Sequence, residues 1–171
     1  MASASVAQVH AARTSDGRDV VVKVQRPGIH DRLASDLRIL MRAAYTLDRR
    51  WRKGRMINLI AVIDDLAGTL EEELNFRNEA RSMERYEANL RSFGSNEQIR
   101  VPEVLWELTS DRVLTMERIR GCRIDDVAGI RRIGADPAAV LKVHARSFLE
   151  SALEHGFFHG DMHAGNIMVD E

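Results

Sequence analysis

An acid and an amide stand five residues apart in His159-Gly160-Asp161-Met162-His163-Ala164-Gly165-Asn166. Two glycines in so short a stretch disfavour a helix and leave these side chains on a loop. A carboxylate there can accept the hydrogen bond of an attacking hydroxyl, and a neutral amide oxygen is a hard ligand of the kind Mg²⁺ takes. The spacing points to phosphoryl transfer, with Asp161 orienting the acceptor and Asn166 holding the metal. Two other readings stay open. His155, His159, Asp161 and His163 could ligate a metal such as zinc, or the loop could serve only to turn the chain.

The second chemical feature is a lysine within a valine run, Val20-Val21-Val22-Lys23-Val24. Strand alternation puts Val20, Val22 and Val24 on one face and Val21 with Lys23 on the other. An ammonium in such a run is costly to bury unless it is paired. The acids that could pair it lie in Glu71-Glu72-Glu73-Leu74-Asn75-Phe76-Arg77-Asn78-Glu79-Ala80, where Glu73 or Glu79 must turn inward. Taken separately, Lys23 also fits an outward lysine on an edge strand, and the acids fit a solvated helix face.

The elements that must position these groups can be read from pattern. Ser5 to Ala12 and Val20 to Val24 flank Asp16-Gly17, the signature of a hairpin, and Pro27-Gly28 ends the second strand. Leu33, Leu37, Leu40, Met41, Ala44, Leu47 and Trp51 recur at helical spacing, as do Leu59, Val62, Ile63, Leu66 and Leu70. A charged helix is expected to continue from Glu71 to Leu90. Strands return at Val104 to Leu108 and Val113 to Met116, followed by a loop from Gly121 to Gly134. Asp136 caps a helix with Pro137 in its first turn. Leu141, Ala145, Phe148, Leu149 and Ala152 form that helix's apolar face, and Gly156 ends it. A short strand, Ile167 to Val169, follows the chemical loop. Strands, helices, strands and a helix in that order suggest an α+β fold.

Composition sets the outer limits. The 171 residues are 44% hydrophobic, 30% charged and 5% aromatic, which fits a globular domain and excludes collagenous, disordered and disulfide-rich classes. A net charge of -1 exerts no general pull toward nucleic acid. Cys122 is the sole cysteine, so no intrachain disulfide can form and a reducing interior is expected. The start, MASASVAQVH, lacks the pattern of a signal peptide, and no apolar run approaches the ~20 residues of a membrane-spanning helix. The expected setting is cytoplasmic, with peripheral contact at a membrane through other segments.

Four stretches carry a resemblance to a known family: Ala2-Ser3-Ala4-Ser5-Val6-Ala7-Gln8-Val9-His10, Val22-Lys23-Val24-Gln25-Arg26-Pro27-Gly28, Glu73 to Ala80, and Phe158 to Asn166. Together and in this order they resemble the UbiB/AarF-type atypical kinases of the protein-kinase-like superfamily. The resemblance implies a partial protein-kinase-like fold. Residues 1–118 would be N-lobe-like, with strands in 5–25 and 103–118 around a helical insert at 29–92, and residues 119–171 would hold the hinge and the start of a helical C-lobe.

The same resemblance implies ATP and Mg²⁺ as cofactors and assigns roles. Ala2, Ser3, Ala4, Ser5, Val6 and Ala7 look like the family's alanine-rich loop over the nucleotide phosphates. Lys23 would contact those phosphates and pair with Glu79, while Glu73 belongs to the Glu-x-Asp signature, in which Asn75 here replaces the Asp. Met116 and Glu117 resemble the hinge that reads adenine. Asp161 takes the place of the catalytic-loop acid, Asn166 that of the metal ligand, and His163 that of a phosphate-contacting lysine. The family's usual role implies isoprenoid-quinone biosynthesis, with lipid or quinone intermediates and biosynthetic proteins as partners.

The family's Lys-x-Gly-Gln segment would lie before Met1 and the Asp of its Asp-Phe-Gly motif after Glu171. The chain is therefore expected to be a fragment with crippled metal binding and little transfer of its own. Two alternatives remain: a small-molecule phosphotransferase of the aminoglycoside/choline kinase type, and a non-catalytic lipid-binding module in which Arg49 to Arg55 touch anionic headgroups.

Overall fold

The computed structural model describes residues 2–3, 7–50, 58–92, 94, 96–156 and 164–170. Its first half is built on an antiparallel sheet in chain order: β1 (Ala2–Ser3), β2 (Ala7–Arg13), β3 (Asp19–Gln25) and, after the helices, β4 (Val113–Glu117). The β2–β3 turn closes where Gly17 takes a φ of +91°, a conformation open to glycine. Thr14 supports it by accepting the Arg18 backbone N–H at its hydroxyl, 2.9 Å away. β3 pairs on both sides, with Lys23 opposite Val9 and opposite Leu114. Lys23 is thus on a central strand rather than an edge. Expected strand residues Ser5 and Val6 lie outside the described residues.

Three helices separate β3 from β4: α1 (Ile29–Arg50), α2 (Leu59–Leu74) and α3 (Phe76–Ser92). α1 and α2 pack against each other, and Asn58 caps α2 by accepting the Ala61 N–H at 3.3 Å. Trp51 and most of the basic connector lie outside the described residues. The single charged helix expected from Glu71 to Leu90 is instead broken at Asn75, whose backbone is extended. The Asn75 amide oxygen accepts the Arg77 N–H at 2.9 Å, offering the chain a local bond in place of helical continuation.

α3 covers one face of the sheet. Cross-strand partners share a face, which groups Ala7 with Gln25 and Lys23 with Leu114. Ala7, Leu114, Phe76 and Ala80 form the buried core there, with Met83, Val104 and Trp106 packed around it. The expected strand at Val104 to Leu108 is reduced to one bridge, Val104 to Met116, followed by a 3-10 turn at Trp106–Leu108. Two hydroxyls bend the chain there. Thr109 donates to the Leu105 carbonyl and Thr115 to the Leu108 carbonyl, each at 2.8 Å.

The expected loop at Gly121 to Gly134 contains two further elements, β5 (Cys122–Arg123) and α4 (Val127–Arg132). Asp126 starts α4 by accepting the Gly129 N–H at 2.8 Å. α5 (Pro137–Leu153) begins as its capping residues direct, with Asp136 accepting from Ala138 and Ala139. Its predicted apolar face is not the buried one. Ser147 and Ser151 are buried, Leu141 and Leu149 are exposed, and the small residues let α5 approach its neighbours closely. β6 (Met168–Val169) pairs antiparallel with β5. Among the described residues no helix is long and apolar enough to cross a membrane.

Candidate functional site

The site begins at Lys23. As part of a central strand its side chain leaves the sheet on the face that α3 covers. Its ammonium donates to both carboxylate oxygens of Glu79, at 2.7 and 2.9 Å, and sits 4.9 Å from the centre of the Phe76 ring. An acid and an aromatic face thus offset the cost of placing this charge among valines. Lys23 is 21% exposed and Glu79 34%, so the pair stands at a rim that solvent and an anionic ligand can reach. Glu79 lies in the first turn of α3, where the helix dipole favours a carboxylate. An ammonium has three donors, enough to hold Glu79 and still meet a phosphate oxygen.

Glu73 lies elsewhere. It is exposed on the last turn of α2, before the break at Asn75, and the two acids of this run belong to different helices. Asn75 acts on the backbone as the joint between them.

Met116 is half-buried on β4, opposite Val21. Glu117 ends that strand, and its carboxylate accepts two hydrogen bonds from Arg100 Nη1, both 2.8 Å. The other edge of the guanidinium holds Asp170, with Nη2 at 2.8 Å and Nε at 3.0 Å. Glu117 foremost and Asp170 next raise the Arg100 guanidinium above its ordinary pKa. This clamp was not foreseen. Asp170 anchors the segment after Asn166 to the end of β4. No local signal announces it, since Arg100 and Asp170 are 70 residues apart.

Asn166 ends a 3-10 turn, Ala164–Asn166, and is exposed. Beyond it the Ile167 carbonyl accepts the Ile124 N–H at 3.1 Å, and Val169 pairs with Cys122. Gly121 permits this contact, because a Cβ there would collide with the Val169 carbonyl. Ala4, Ser5, Val6, His159, Asp161 and His163 lie outside the described residues, while Ala2, Ser3 and Ala7 belong to β1 and β2. Three of the four residues of the zinc alternative are therefore not described. Among the described residues no group of three or more His, Cys, Asp or Glu is placed to hold a metal. Asn166 is an exposed residue, and a neutral amide oxygen is a ligand of the kind Mg²⁺ takes.

A profile described as "ABC1 atypical kinase-like domain" matches residues 1–171. The protein Rv0647c of Mycobacterium tuberculosis is 50% identical over 170 residues, covering 99% of this chain and 35% of that protein. A Cellvibrio japonicus protein named "Probable protein kinase UbiB" is 38% identical over 169 residues, 99% of this chain and 30% of its own length. The chain thus spans about a third of these curated relatives. Among solved structures, the complex of Rv3197 with erythromycin from Mycobacterium tuberculosis matches with a TM-score of 0.72 and 31% identity. That match covers 98% of this chain and 40% of the other.

Proposed function

The chain belongs to the ABC1 atypical kinase-like family, and on that premise we propose that it supplies the nucleotide site of an ATP-dependent phosphotransferase or ATPase. The observation that carries the reading is the ion pair of Lys23 with Glu79, 2.7 Å long, on the covered face of the central strand. Lys23 binds the nucleotide phosphates while Glu79 keeps its ammonium aimed. Ala2, Ser3, Ala4, Ser5 and Val6 are the residues proposed to cover those phosphates, where small side chains allow backbone N–H groups to approach, whereas Ala7, expected among them, is fully buried in the core against α3. Met116 and Glu117 border the adenine, and Glu73 supports the nucleotide from the end of α2.

Asp161 accepts the hydrogen bond of the acceptor hydroxyl or water and orients it. His163 meets phosphate oxygens, and Asn166 is the residue of this chain that would hold Mg²⁺. The metal, when bound, offsets the charge that gathers on the phosphate oxygens. Relatives named as probable protein kinases support the phosphotransferase reading, and the resemblance to UbiB-type kinases implies a place for the whole protein in isoprenoid-quinone biosynthesis. There it would meet lipid or quinone intermediates and biosynthetic proteins at a membrane face.

The test is nucleotide binding by the full-length protein with a fluorescent ATP analogue. Lys23→Met is expected to weaken binding by about tenfold or more, as befits a lost charge-assisted contact. Asn166→Ala alone is expected to weaken the Mg²⁺ dependence of analogue binding. Equal affinity in wild type and Lys23→Met would overturn the proposal.

A further inference from the structure

Gln25 closes β3 two residues after Lys23, and it is 7% exposed. Its side chain reaches three other segments. The amide nitrogen donates to the carbonyl of Leu74, the last residue of α2, and more distantly to the Asp111 carbonyl at 3.4 Å. The amide oxygen faces His30 Nε2 in the first turn of α1, 3.0 Å away. Two carbonyls fix which end of the amide is the donor, so His30 must present an N–H to the oxygen. The backbone N–H of Gln25 donates to Arg112, and that of Phe76 to Asp111 at 3.0 Å. The same short turn before β4 therefore receives both the end of β3 and the start of α3.

Residues two apart on a strand share a face, so Lys23 and Gln25 point to the same side, about 6.6 Å apart along β3. Opposite them, Leu74 and Glu79 are separated by the break at Asn75 and about one helical turn of 5.4 Å. Two rungs of similar spacing then join strand to helix. The inner one is the Lys23–Glu79 pair, and the outer one runs from Gln25 to the Leu74 carbonyl.

We infer that Gln25 is a positioning residue for the nucleotide site. By gripping the Leu74 carbonyl it fixes where α3 begins and how it is turned, which holds Glu79 against Lys23. It touches neither the ammonium nor the nucleotide. The role in nucleotide binding rests on the function proposed for Lys23, whereas the effect on the ion pair does not.

The experiment separates the two. In the full-length protein, the rate at which Lys23 is acylated by a trace lysine reagent is followed against pH by mass spectrometry, with Lys142 on α5 as internal standard. Gln25→Glu keeps the shape but presents a carboxylate to two carbonyls, and Gln25→Met removes the donor without adding charge. Either is expected to speed Lys23 labelling about threefold, as for an amine released from its two hydrogen bonds to Glu79, while Lys142 stays constant. In a Glu79→Gln background the same substitutions should add nothing, because the group they act through is gone. Analogue affinity should fall in parallel.

Unchanged Lys23 labelling in both variants overturns the inference, as does an effect that persists undiminished in the Glu79→Gln background. Should Lys142 labelling rise together with that of Lys23 in both, Gln25 is only a general support of the fold and the inference fails. A wild-type protein without nucleotide affinity would defeat the function proposed above, and the labelling result would still decide this point.

Discussion

The cluster where α3 meets the sheet buries a phenylalanine, a leucine and two alanines, whereas the buried side chains of α5 are two serines. Three of that helix's leucines, Leu141, Leu149 and Leu153, are exposed at 61%, 55% and 83%. The first region is a sheet face covered by one helix, where apolar side chains remove one another from water. The second holds its helix by capping, small-residue contact and polar links such as the Asn96 amide donating to Glu150 at 3.0 Å. The Lys23–Glu79 pair is set on the first kind of ground and Asn166 follows the second. Stability and site geometry should therefore respond very differently to changes in the two regions.

The widest contrast should come from paired substitutions. Phe76→Ala is expected to cost about 3–5 kcal/mol in urea unfolding, since a fully buried ring leaves a cavity. Leu149→Ser should stay within about 0.5 kcal/mol. Equal losses would erase the distinction between the regions. Next, Glu79→Gln should cost about 1–2 kcal/mol, a value discounted for the partial exposure of the pair. Asp136→Ala should cost about 1 kcal/mol by removing the cap of α5, with the loss visible as fraying of that helix in hydrogen exchange.

Arg100→Ala should cost less than about 1 kcal/mol, and the difference from wild type should fade near 0.5 M salt, because the clamp is half exposed. The smallest effect concerns His144 in α5, whose pKa burial pushes below the ordinary 6.5. The unfolded chain then takes up the proton more readily than the folded one. This contribution is complete above pH 6.5 and is lost as the pH falls through 6.5 toward the lowered value. Comparing melting temperatures above and below that range in wild type and His144→Gln should show a smaller acid-side drop in the variant.

Features written in neighbouring residues were legible. The valine strand, the Gly17 turn and the Asp136-Pro137 helix start appear where pattern places them. The kinase-like α+β fold implied by the resemblance is also that of the solved neighbour. Features that depend on distant partners were not. Helical periodicity runs straight through Asn75, and only its hydrogen bond to Arg77 shows the break. The 3-10 turn at Trp106 depends on Thr115, seven residues beyond the carbonyl its hydroxyl meets. Periodicity marked α5 as a helix, but which side is covered depends on what packs there.

At the site, a lysine among valines called for an acid, and two stood in one acidic run. The break between α2 and α3 is what separates Glu73 from Glu79 in space. Arg100 carried no signal at all, because both its partners come from later in the chain.

The joint at Asn75 has a consequence for how this architecture can vary. Among the described residues α1 and α2 form an outrigger tied to the sheet at its near end, along the chain at Gly28 and Asn75 and through the Gln25 side chain at His30 and Leu74, while Arg50 and Leu59 mark its far end. Whole turns could be inserted or deleted at that end while Glu79 kept its place. The outrigger is thus a module whose length is free to drift, and the Lys23–Glu79 pair would not register the change.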